Sequence, residues 1–128
     1  MKRSTFLLIA AIIATLIGGM SLFSPGKMAE GFGVTPTPMI IFLARELGVL
    51  NLCLGVLNFL VRNDTDSKTL KAIFIFNFAY HLIMVPVNLF GISQGIFTFA
   101  QAILPLVFHF LMGIGSFIYL SKMKTSAY

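Results

Sequence analysis

Four long apolar runs constrain this chain more than anything else in it: Thr5–Phe23, Met39–Val61, Leu70–Phe90 and Phe97–Leu120. A helix needs about 20 mostly apolar residues to cross the hydrocarbon of a bilayer, and each run meets that length. They take up most of the 128 residues, and only 10% of the side chains are charged. A soluble domain carries about 25%. The expectation is an all-α integral membrane four-helix bundle, a single domain over residues 1–128. Too little chain lies outside the runs to hold a separate soluble active site.

The net charge of +5 raises nucleic acid as a partner, but the placement of the charge argues against it. The basic residues are Lys2, Arg3, Lys27, Arg45, Arg62, Lys68, Lys71, Lys122 and Lys124. With both termini and the Arg62–Lys68 turn on one side, seven of these nine share that side. That is the positive-inside pattern, and it predicts both ends in the cytoplasm. The charge then reads as topology and contact with anionic lipid heads, with no nucleic-acid partner. Cys53 is the only cysteine, which excludes an intrachain disulfide and a cysteine-based zinc cluster. Tryptophan is absent, so Tyr119, Tyr128 and the terminal lysines are the expected interface anchors.

Met1-Lys2-Arg3 before an apolar run has the look of a secretory signal. The run is long for one, however, and no A-x-A site precedes Pro25, so the first helix is read as retained. Its small residues Ala11, Thr15 and Gly19, with Ala14 and Gly18, suit close helix contact, and it reads as a wall. The Ser24–Pro38 connection is broken by Pro25, Pro36 and Pro38, with room for a short interfacial helix at Lys27–Phe32. In the second run Ala44, Gly48, Asn51, Gly55, Asn58 and Arg62 share a stripe at 100° per residue. Arg45 lies at its edge and Glu46 almost opposite. The polar turn holds Asp64 and Asp66 but lacks the rest of a calcium loop; Ser67 or Asp66 is the expected cap of the next helix.

The third run carries Asn77, His81, Met84 and Asn88 on one face, with Pro86 as an expected kink. The fourth carries Gln101, Pro105, His109, Met112 and Ser116 on one face, with Gly113 and Gly115 allowing close contact. Polar groups in lipid must be satisfied, so these stripes are expected to face inward. The candidate ligand-binding residues are Arg45, Asn51, His81, Asn88, Gln101 and His109. Arginine would meet an acidic or carbonyl head, and the others would orient it. A membrane lipid, a quinone or another small amphiphile suits such a site. The alternative is a non-enzymatic accessory or structural subunit, contacting a partner membrane subunit or a second copy.

Other chemistries rank below these. Haem held by His81 and His109 would use two imidazoles on facing helices, but no haem motif accompanies them, and otherwise no cofactor is expected. Acid–base catalysis by histidine with Glu46 lacks a nucleophile motif, so a non-enzyme is preferred and no catalytic residue is assigned. Nor is a metal site. A proton-coupled transporter would rely on Glu46, the one carboxylate within a span, and no inverted repeat is visible.

Pro25-Gly26-Lys27-Met28-Ala29-Glu30-Gly31-Phe32-Gly33-Val34, followed by Ala44-Arg45-Glu46-Leu47-Gly48 and Gly55, resembles the DoxX-like family of small bacterial four-helix membrane proteins. The shared pattern is a proline-led loop ending in Phe-Gly, then Ala-Arg-x-x-Gly opening the second helix. The first half of the chain carries it. The resemblance implies a four-span protein of the bacterial inner membrane associated with quinone or redox systems, and it touches Arg45, Gly48 and Gly55 here. It identifies no catalytic residue.

Overall fold

The computed structural model describes residues 1–123, so Lys124 and Tyr128 lie outside the described residues. These are all helix and connection, with no strand among them. The helices are α1 (Arg3–Phe23), α2 (Pro25–Gly31), α3 (Pro38–Val61), α4 (Lys68–Ser93) and α5 (Phe99–Lys122). All but α2 are long and apolar enough to cross a membrane, which makes this a multi-pass membrane protein. Their flanks hold large exposed apolar side chains such as Leu16, Leu50, Leu60, Ile83, Leu104 and Leu111. That is the surface a lipid-facing helix presents.

The ends of the helices follow local chemistry. Thr37, Ser67 and Thr98 each accept a hydrogen bond from a first-turn backbone N–H, at 3.3, 3.1 and 3.4 Å. Gln101 completes a capping box by accepting from the Thr98 backbone N–H at 2.7 Å. Pro25 and Pro38 start α2 and α3, where a missing N–H is harmless. The short helix therefore sits slightly ahead of the expected Lys27–Phe32, because Pro25 nucleates it.

Packing divides the spans into two pairs. α1 lies along α3, and α4 along α5, while contact between the pairs is sparse. Within the first pair the backbones nearly touch: a Cβ added at Gly18 would lie 2.8 Å from the Gly48 carbonyl oxygen. Gly55 faces Thr15 and the Ala11 carbonyl in the same seam. The stripe on α3 thus turns largely to α1 rather than to α4 and α5. α1 is more than a wall; it is the principal support of α3.

The two pairs join at the end that carries Met1. Phe6, Leu7, Ala10, Val61, Leu70, Phe74 and Met112 form the apolar core there. The Phe6, Phe74 and Tyr119 rings stack with centroids 5.1–6.3 Å apart. Tyr119 donates its hydroxyl to the Met1 carbonyl at 2.7 Å. Arg3 pairs with Asp66 and donates to the Asp64 carbonyl at 2.6 Å, tying α1 to the α3–α4 turn. At the opposite end, Gly33 (φ +74°) lies hard against the Gln101 side chain, leaving no space for a Cβ.

Candidate functional site

Most of the polar side chains that the spans bury belong to α4 and α5. Asn77 and His81 are four residues apart on α4, hence on one face. His109 and Ser116 are seven apart on α5, two turns along one face. All four are buried, at 1%, 4%, 8% and 0% exposure. His81 and His109 stand near the middle of their helices, and their Nδ1 atoms are 2.8 Å apart. Gly113 lies against this contact: a Cβ there would stand 3.6 Å from the Cβ of His81, in ordinary van der Waals contact.

Two aromatic rings enclose the pair. Tyr80 meets both imidazoles edge-on, with centroids 5.1 and 5.9 Å away, and Phe108 lies 5.5 and 5.6 Å from them. A hydrogen bond between two Nδ1 atoms needs one to carry the proton and the other to accept it. In a neutral pair the remaining nitrogens then differ. The donor ring has a bare, accepting Nε2, and the acceptor ring a donating Nε2–H. Neither Nε2 has a partner among the described residues.

Below the histidines, Asn77 donates to Asn58 Oδ1 at 2.7 Å, and Asn58 donates to the Leu54 carbonyl at 2.9 Å. This buried amide contact crosses between the helix pairs. The Asn77 Oδ1 and Ser116 Oγ atoms are buried without a hydrogen-bond partner. Buried groups of this kind cost about 1–3 kcal/mol each when unmet, so the core retains unused capacity for a polar guest or water. Below them the apolar cluster of Phe6, Leu7, Phe74 and Met112 forms a floor.

The expected site residues do not all converge. His81 and His109 meet, and Asn88 is buried on the same helix as His81, donating to the Met84 carbonyl at 2.7 Å. Asn51 is half-buried, and its amide nitrogen donates to the Leu47 carbonyl at 2.9 Å. Gln101 is engaged as a helix cap. Arg45 is exposed on α3, as is Glu46. Asn58, Asn77 and Ser116 were visible as inward stripe positions in the sequence. Tyr80 and Phe108 carry no periodic polar signal and only the packing reveals them. No cluster of three or more metal-ligating side chains occurs among the described residues.

No family model, curated protein or solved structure matches the chain. The functional reading therefore rests on the chemistry of these side chains.

Proposed function

We propose that this is a small protein of the bacterial inner membrane, both termini cytoplasmic, that binds a quinone, lipid or similar amphiphile at the histidine pair. One observation carries the reading: two imidazoles joined through Nδ1 at mid-span leave one Nε2 donor and one Nε2 acceptor without protein partners. A carbonyl head can accept from the first, and a hydroxyl or phenol can donate to the second. Tyr80 and Phe108 place aromatic rings beside the pair, against which a ring-bearing head can pack. The apolar floor at the Met1 end favours entry from the opposite half or sideways between the helix pairs. The DoxX-like resemblance points toward the same quinone-linked setting. Haem is less well served, because an iron between the two Nδ1 atoms would need them to part from hydrogen-bonding distance.

Native mass spectrometry after mild detergent extraction tests the proposal. The wild-type chain is expected to carry a discrete extra mass, or to take one up from micelles doped with a short-chain quinone. His81→Leu and His109→Leu keep apolar bulk and are expected to raise the dissociation constant about tenfold, as the loss of about 1.4 kcal/mol would. A wild-type chain that stays bare with quinone and lipid alike would overturn the reading. The accessory-subunit alternative finds support in Arg45 and Glu46, charged side chains exposed on a span.

A further inference from the structure

α3 has two unlike faces. One buries Gly48, Gly55 and Asn58 against its neighbours. The other carries Phe42, Val49, Val56 and Leu60 at spacings of seven, seven and four, all exposed, with Cys53 exposed beside them. Just 11% of the apolar window of α3 is buried, against 39% for α1, so α3 is the span with the most surface left for a further helix. Arg45 and Glu46 flank this face, both exposed and neither with a hydrogen-bond or ion-pair partner among the described residues. Glu46 lies about 12 Å along α3 from its start, inside the hydrocarbon of a spanning helix. An ionised side chain there needs a partner, and side chains at i and i+1 do not face each other on one helix.

We propose that two copies of this chain pair through this face of α3, with Arg45 of each opposite Glu46 of the partner subunit. Neighbours in sequence sit at nearly the same depth, 1.5 Å apart along the axis. A twofold axis along the membrane normal then places Arg45 on one side of the contact facing Glu46 of the partner subunit, and repeats the pair on the other side. Phe42, Val49, Val56 and Leu60 run between the two pairs as the apolar strip. A different protein would have to bring a cation and a carboxylate to the same depth. A second copy already has both.

The native cysteine supplies the first test, since Cys53 lies beside the strip. Mild oxidation in the membrane is expected to yield a disulfide-linked dimer, and Val49→Cys on a Cys53→Ala background gives a second reporter nearer the centre. Arg45→Glu alone and Glu46→Arg alone are each expected to lower the cross-linked fraction about tenfold. Co-expressing the two variants with different tags should restore a mixed dimer, because each supplies what the other lacks. Restoration also shows that both variants fold. Single reversals without effect, no mixed dimer, or no dimer with either reporter would overturn the proposal. Cross-linking to an unrelated protein would overturn it too.

Discussion

Gly48→Leu is expected to lift α1 off α3, and even Gly48→Ala to cost about 1–3 kcal/mol, the usual range for overpacking. A Cβ at Gly48 would meet the Gly18 carbonyl oxygen and the Leu22 nitrogen at 2.9 Å, and the Ser21 carbonyl carbon at 3.2 Å. Those are backbone atoms, so no rotamer change relieves them. Gly18 is the mirror case, 2.8 Å from the Gly48 oxygen and the Leu52 nitrogen. Lipid tails are as apolar as leucine, so helix association in a bilayer rests on close packing rather than on hydrophobic burial. Losing the approach therefore removes most of what holds this pair. The readout is the mole fraction of SDS that unfolds the protein from mild micelles. Gly19→Ala, whose Cβ would meet nothing within 4 Å, is the control and should not lower the midpoint. A Gly48→Leu chain as resistant as wild type would mean that α1 and α3 do not meet at these glycines.

Gly48 also shows how far sequence reasoning reaches here. The spans were legible because length and apolarity have one cheap solution in lipid, and Ser67 was legible as a cap because a hydroxyl before a helix has a specific donor to satisfy. The small-residue face of α3 was legible as a seam. Its partner was not. Periodicity gives the face of one helix, whereas the choice between α1 and α4 depends on which opposing surface also offers glycines in step. Asn51 adds a second limit. An amide in a helix can bond the carbonyl four residues back, as it does on Leu47, and periodicity does not reveal such a local partner.

The histidines present the opposite case. Their shared depth could be counted from the helix ends, since α4 and α5 are joined by a short turn and run antiparallel. What counting cannot supply is the rotation that sets Nδ1 against Nδ1, with the rings of Tyr80 and Phe108 packed beside them. Arg45 and Gln101 separated from this group because neither needs it. Gln101 is used by the Thr98 cap, and Arg45 faces outward with Glu46. The proposed ligand site and the proposed subunit contact thus fall on different elements, α4–α5 for one and α3 for the other.

Asn58→Leu and Asn77→Leu are each expected to destabilise the protein by about 1–3 kcal/mol, since either one strands a buried amide. The pair is the one described hydrogen bond between side chains of α3 and α4, and both residues are only 1% exposed. Together with the Phe6–Phe74–Tyr119 cluster it holds the two helix pairs at a fixed spacing below the histidines. The double variant should be less destabilised than the sum of the singles, because two leucines replace two amides and nothing polar is left over at that contact. Coupling energies for such bonds in membrane proteins average about 0.6 kcal/mol and reach about 1.7. The upper part of that range is expected here, as the Asn77 oxygen has no partner and its amide nitrogen has only Asn58. A double-mutant cycle on the SDS midpoint measures it. Strict additivity would show that the two amides do not bond each other in the membrane, and that the apolar core and the contacts of Arg3 and Tyr119 at the Met1 end hold the helix pairs together without them.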